Sequence, residues 1–133
     1  MANIEKFEDI QAWQKARELA KVIYEFSRQS PFDRDFKLRD QILGSSGSVM
    51  DNIAEGFDRG GNKEFIHFLT ISKASAAEVK SQLYRALDRN YIDQDEFDGT
   101  YLLADEIGKM ITGLIKYLNK SEIKGLKFKD RTN

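Results

Sequence analysis

Apolar residues recur along this chain at three- and four-residue steps, and four such stretches follow one another. From about Asp9 to Arg28 the stripe is Ala12, Ala16, Leu19, Ala20, Ile23 and Phe26, flanked by Trp13 and Tyr24. That spacing predicts one helical face of about five turns. The single proline, Pro31, pushes Ser30 away from helical geometry, so Ser30-Pro31-Phe32-Asp33 reads as the first turn. A second stretch runs from about Phe36 to Phe57 on Leu38, Ile42, Val49, Ile53 and Phe57. Its middle, Gly44-Ser45-Ser46-Gly47-Ser48, fits either a turn or a continuous helix whose small residues admit a neighbouring backbone. Helical glycines cost about 1 kcal/mol each relative to alanine. The apolar positions nevertheless stay in phase across them, which favours one helix, with Gly56 and Gly60-Gly61 as its C-terminal punctuation.

The third helix is expected to start after Asn62 as N-cap, with Glu64 suited to the positive end of the helix dipole. Phe65, Phe68, Leu69, Ser72, Ala76, Val79, Leu83 and Leu87 form its core face, to about Arg89. Asn90-Tyr91-Ile92 then turns the chain, and Asp93 with Glu96 resembles a capping box. Phe97, Tyr101, Ala104, Ile107, Ile111, Ile115 and Leu118 carry the fourth helix to about Lys120. No strand pattern competes. Long helices joined by short turns lie antiparallel to their neighbours, so the expected fold class is all-α, an up-down-up-down four-helix bundle. Residues 1–123 form that domain, and 124–133 read as a loose basic tail.

The fourth helix carries more apolar surface than one core needs. Leu103, Met110, Leu114 and Tyr117 fall together, rotated roughly 100° from the main stripe. Ile66, Ala77 and Tyr84 give a fainter second stripe on the third helix. Either the core stripe is simply wide or these residues form an interface between copies. The extent of the patch favours a homo-oligomer, with Leu103, Met110, Leu114, Tyr117, Ile66 and Tyr84 as its interface.

Composition narrows the classes. The 133 residues suit one domain, and the absence of cysteine excludes disulfides and thiolate metal sites. No apolar h-region follows Met1, and no run approaches the roughly 20 apolar residues of a membrane span. A cytoplasmic protein without membrane contact is expected. The formal net charge is −1, so the overall basic signature of a nucleic-acid binder is missing. Its distribution is uneven, however. Seven acids face one base, Arg89, between Asp88 and Glu106, whereas Lys116, Lys120, Lys124, Lys127, Lys129 and Arg131 concentrate positive charge at the other end. Those six residues are the candidates for RNA or DNA contact.

Catalytic readings find little support. Glu64-x-x-His67 has the spacing that di-iron bundles use, but those sites need two such motifs and two further glutamates. His67 is the only histidine and lies off the apolar face. No phosphate-binding loop or dinucleotide fingerprint is present. The expectation is a non-enzyme with no metal and no cofactor. Polar residues beside the second and third stripes ask for partners instead: Gln41, Ser48, Asn52 and Glu55 on one helix, Ser75, Glu78 and Gln82 on the other. If buried, they must be hydrogen-bonded. They are expected to form a network, Ser48, Asn52, Glu55, Ser75, Glu78 and Gln82, in which Asn52 and Glu55 reach across to Ser75 or Gln82 and fix register. A small polar ligand pocket is the alternative.

Several stretches together resemble one family. Phe7-x-x-Ile10-x-x-Trp13-x-x-Ala16, with Leu19 and Ile23-Tyr24, is similar to the first helix of the bacterial 23S rRNA intervening-sequence proteins. Ser48-Val49-x-x-Asn52-Ile53-Ala54-Glu55-Gly56 resembles their most diagnostic stretch, and Lys63-Glu64-Phe65-x-x-Phe68-Leu69-x-Ile71 with Ser75-x-x-Glu78 their third helix. The likeness spans roughly Phe7 to Leu118. It implies a four-helix bundle assembled as a ring, typically a homopentamer, of unassigned molecular function. Some members are encoded inside insertions in ribosomal RNA genes. A related branch, the accessory proteins of diversity-generating retroelements, forms basic pentamers that bind nucleic acid and a reverse transcriptase; this slightly acidic chain departs from that branch. The resemblance thus implies, as partners, further copies of this chain, and RNA, DNA or a nucleic-acid-processing protein. It also departs at Ile42-Leu43-Gly44-Ser45, where the family usually has bulkier or basic residues.

Overall fold

The glycine–serine stretch of the second apolar segment is helical throughout. The computed structural model describes residues 4–124, with side chains to position 120. Within that range stand four long helices, α1 (Gln11–Ser27), α2 (Phe36–Asp58), α3 (Asn62–Asp88) and α4 (Gln94–Lys124). Short 3-10 turns occupy Phe7–Asp9 and Phe32–Arg34, and no strand occurs among the described residues. Each helix packs on its neighbours in chain order, and α1 closes the square against α4. Side-chain contacts show the antiparallel sense. Along α2 the partners Asp35, Gln41, Ser45 and Ser48 meet Arg89, Arg85, Gln82 and Ser75 of the α3 side in descending order. Tyr84 against Phe97 and Lys80 against Asp105 give α3 and α4 the same opposed sense.

The expected stripes are the core. Ala16, Leu19, Ile23, Leu38, Ile42, Val49, Ile53, Phe65, Leu69, Val79, Leu83, Ala104, Ile107, Ile111 and Leu118 are all fully buried. Two connecting segments add to it: Phe32 in the first turn is 1% exposed, and Ile92 in the last is 4%. Phe32 stacks on Tyr91 with centroids 4.9 Å apart, so an aromatic pair seals one end of the bundle.

Local sequence sets the helix ends. Asp35 caps α2 by accepting from the Leu38 N–H at 3.2 Å. Its other oxygen takes the Tyr91 hydroxyl at 2.8 Å and the Arg89 guanidinium at 2.7 Å, tying the start of α2 to the end of α3. The Tyr91 hydrogen bond is the main reason that the Asp35 carboxyl lies below the usual carboxylate range, with Leu38 N–H and Arg89 adding to it. Beyond α3, Asn90 adopts a left-handed φ of 59°. The Tyr91 N–H then donates to the Ala86 carbonyl at 2.9 Å and the Asn90 N–H to Leu87 at 3.0 Å, a Schellman closure. The capping box at α4 forms as expected: Asp93 N–H donates to Glu96 Oε1 at 2.9 Å, and Glu96 N–H to Asp93 Oδ1 at 2.8 Å.

Four expectations need correction. Helix α1 begins at Gln11 rather than Asp9, because the Asp9 carboxylate is engaged by the N–H groups of Glu5 and Lys6 and belongs to the preceding 3-10 turn. Helix α3 begins at Asn62 itself; Gly61 is the N-cap, and no side chain caps it. Helix α4 continues to Lys124, past the stop expected at Lys120. Finally, the close helix approach lies elsewhere than expected. A Cβ on Gly44 or Gly47 would meet nothing within 4 Å, whereas one on Gly56 would stand 2.7 Å from Phe68 Cβ and 3.3 Å from the Phe65 carbonyl oxygen. Gly56 is therefore a contact residue inside α2, not a stop signal.

The two kinds of glycine respond oppositely to alanine. Gly44→Ala gains helix propensity without a clash and stabilises by about 0.5–1 kcal/mol. Gly56→Ala gains the same propensity but forces α2 and α3 apart, an overpacking cost of about 1–3 kcal/mol. Urea denaturation should show the first midpoint rising and the second falling.

Candidate interaction surfaces

The polar residues between α2 and α3 divide into a satisfied seam and an exposed flank. Ser48 and Ser75 share a hydroxyl–hydroxyl hydrogen bond of 2.9 Å, and Asn52 Nδ2 donates to both the Ser48 carbonyl (2.8 Å) and its Oγ (2.9 Å). Ser72, fully buried, donates to the Val49 carbonyl at 2.6 Å. Gln82 Nε2 donates to Ser45 Oγ at 3.0 Å. Asn52 thus reaches Ser75 only through Ser48, and Gln82 pairs with Ser45, which the sequence pattern did not single out. Glu55 and Glu78, expected within the buried network, are exposed. Glu55 instead pairs with Arg59 one turn on, at 2.9 Å. A charged carboxylate left unpaired in the seam would carry a desolvation penalty, whereas at the surface the same side chain costs nothing.

The second apolar stripe of α4 also divides. Leu114 is 6% exposed and belongs to the core, because it follows Ile111 by three residues and precedes Leu118 by four. Leu103, Met110, Tyr117 and, on α3, Ile66 are half-buried shoulders packed on that core. Tyr84 is 50% exposed and leans on Phe97 and Tyr101, with centroids at 4.8 and 5.9 Å. Leu102, 67% exposed, is the most exposed large apolar side chain among the described residues. It escaped the pattern reading, although Tyr101-Leu102-Leu103 carried the signal: at 100° per residue three consecutive apolar side chains cannot all face one core. Phe36 (63%) and Ile71 (37%) also project outward.

Two open grooves run beside the outer face of α4. One, towards α1, passes Gly99, Leu102, Leu103, Glu106 and Met110. It continues past Met110 into a more apolar stretch lined by Ile4, Ile10, Ala12, Gly113 and Leu114. The other lies between α3 and α4 over Ala76, Ala77, Ala104 and Gly108, with Lys73, Lys80 and Lys109 on its walls. Asp105 bridges Lys80 at 2.8 Å and Lys109 at 3.1 Å. The Lys80 ammonium also sits 4.8 Å from the centroid of the Tyr101 ring. Of the six basic candidates, Lys116 and Lys120 are exposed on the last turns of α4. The Lys124 side chain, Lys127, Lys129 and Arg131 lie outside the described residues. His67 is exposed with its ring against Phe68, and Glu64 is exposed 4.0 Å from Arg59.

A family model for the 23S rRNA-intervening sequence protein matches residues 8–113. The chain belongs to that family. The match covers α1, α2 and α3 in full and α4 as far as residue 113, short of Lys116, Tyr117 and Lys120 and slightly before the end of the likeness read from the motifs. A crystal structure of a protein with unknown function, from the S23 ribosomal protein family of Bacteroides thetaiotaomicron VPI-5482, is similar with a TM-score of 0.72 and 24% identity. The similarity covers 79% of this chain and 95% of that one. At that identity it shows a shared fold. No curated protein matches the chain in sequence. Among the described residues no helix is long and apolar enough to cross a membrane.

The Lys80–Asp105 bridge should show in the pH dependence of stability. The Lys80 hydrogen bond, then that of Lys109, holds the Asp105 carboxyl below its ordinary value, so its contribution is present above the unfolded carboxylate range and lost as pH falls through the folded pKa. The Asp105 hydrogen bond raises Lys80, whose contribution is lost only as pH rises through its raised pKa. Asp105→Asn should remove part of the stability difference between neutral pH and about pH 3, read by thermal melts across that range.

Proposed function

We propose that this member of the family is a non-enzymatic, homo-oligomeric helical module whose copies meet along the outer face of α4, and that it acts through macromolecular partners in the cytoplasm. The supporting observation is Leu102, 67% exposed and lining an open groove that also passes Gly99. Gly99 and Gly113 each weaken α4, and a Cβ at either would meet nothing within 4 Å among the described residues. An exposed leucine over open glycine positions is what a close-packed second helix requires. Half-buried Leu103, Met110 and Tyr117 extend the same face, with Ile66 and Tyr84 at its α3 side. Leu114 lies beneath it as support. The family resemblance adds a ring of five copies as the expected closed form.

A second reading rests on the basic groove. Lys73, Lys80 and Lys109 outnumber Asp105 there, and Lys116 lies one turn beyond Thr112 on the same edge of α4. Repeated around a symmetric assembly, these groups and the basic residues to Arg131 form a rim suited to an RNA or DNA backbone. Shortening the chain after Leu118 would then weaken binding and flatten its salt dependence; salt-insensitive binding would remove this reading.

Leu102→Glu decides the first reading, because the side chain is already exposed and its replacement leaves the core intact. Native mass spectrometry of the parent chain should give about five times 15.3 kDa. The variant should give single chains with an unchanged helical circular dichroism spectrum. A variant that keeps the parent mass removes α4 as the contact face.

A further inference from the structure

The groove between α3 and α4, of about 350 Å3, combines an apolar floor with basic walls. Ala77, Ala104 and Gly108 form the floor, and a Cβ on Gly108 would meet nothing within 4 Å among the described residues. Lys73 and Lys80 stand on the α3 wall and Lys109 on the α4 wall. Asp105, bonded to Lys80 and Lys109, offsets only one of these three charges. Lys73 is exposed and pairs with no acid among the described residues. Lys73 and Lys80 are separated by about 10 Å along α3, with Ala77 between them.

The outer face of α4 is the complement of this groove. Exposed Leu102 projects between Asp98 and Glu106, which lie one turn before and one turn after it and are themselves exposed. Steps of four residues keep the three on one face, so acid, leucine and acid form a ridge about 12 Å long. Two such ridges do not suit each other. With Leu102 against Leu102, Asp98 and Glu106 would face acids of the other copy in either orientation. The α3–α4 groove instead offers a floor of small residues for the leucine and cations spaced much as the carboxylates are.

We propose that the α4 ridge of one copy seats in the α3–α4 groove of the next, with Leu102 over Ala77 and Gly108 and the flanking carboxylates on Lys73 and Lys80. This rests on the α4 contact proposed above and names the surface that receives it. Ridge and groove are different patches of one chain, so the contact is head-to-tail. Each copy gives its ridge to one neighbour and its groove to the other, and the series ends when a ring closes. The groove lysines then face carboxylates of a second copy rather than a nucleic-acid backbone.

Charge reversal at exposed positions tests the pairing, read as the midpoint concentration for dissociation of the assembly in sedimentation velocity of the full chain. Lys73→Glu alone should raise that midpoint at least about threefold, because it sets acid against acid. Asp98→Lys combined with Glu106→Lys should raise it as well. Adding Lys73→Glu to this reversed ridge should then lower the midpoint by at least about threefold, since the new carboxylate meets an ammonium group. One substitution thus weakens the parent and strengthens the reversed chain, a change of sign that a damaged fold does not produce. If Lys73→Glu leaves the parent unchanged, or makes the reversed chain no tighter, the groove is not the receptor and the proposal is overturned. Should Leu102→Glu still dissociate the assembly in that case, the α4 contact survives and the groove is open to a nucleic-acid backbone. A Leu102→Glu chain that keeps the parent mass removes the α4 contact itself, and this pairing with it.

Discussion

The close contact of α2 with α3 is the constraint on which the remaining architecture depends. At one end Gly56 lets the Phe65 and Phe68 turn of α3 approach to a distance that a methyl group would prevent. Along the middle, Ser45, Ser48 and Ser72 are short enough to bond across the seam without holding the helices apart. At the far end Asp35 joins both helix termini through Leu38, Arg89 and Tyr91. With this pair fixed at three levels, the apolar stripes of α1 and α4 have a single surface to cover. The square packing order follows from that and from short connections.

The helix opposite in character is α4. It is the longest of the four, carries three glycines at which a Cβ would meet nothing within 4 Å among the described residues, and exposes Leu102. The seam spends its small residues on intramolecular closeness, whereas α4 leaves the same kind of space open to the outside. The proposed self-association uses that difference. Gln82 is a local departure within the seam, where the row of cross-helix hydrogen bonds leaves one buried carbonyl unmatched among the described residues.

Most of the fold was legible in the sequence because helical periodicity reports which side of a helix is dry. Leu38, Ile42, Val49, Ile53 and Phe57 are the buried residues that their spacing predicts, and Asp93 with Glu96 forms the capping box that its motif predicts. Periodicity does not report depth. It placed Leu114 on an outer stripe although the core is wide enough to include it, and it placed Glu55 and Glu78 in a seam whose rim they occupy. Nor does composition tell a glycine that ends a helix from one that admits a neighbour; Gly56 takes the close-contact role expected of Gly44, which neither ends α2 nor admits a neighbour. Phe32 and Ile92 were invisible for another reason: they lie in turns, outside any periodic stripe, and are buried by tertiary packing alone.

The most direct measurement is solvent paramagnetic relaxation of the Leu102 methyl groups in the unaltered protein, compared with those of fully buried Leu83 and Leu118. As an outer-face residue Leu102 is two-thirds open to solvent in the single chain. If copies meet along α4, its methyls will be shielded from a soluble paramagnet to nearly the degree of the core leucines, and dilution will progressively expose them. Leu102 methyls that relax as fast as freely exposed groups at every concentration would contradict the account.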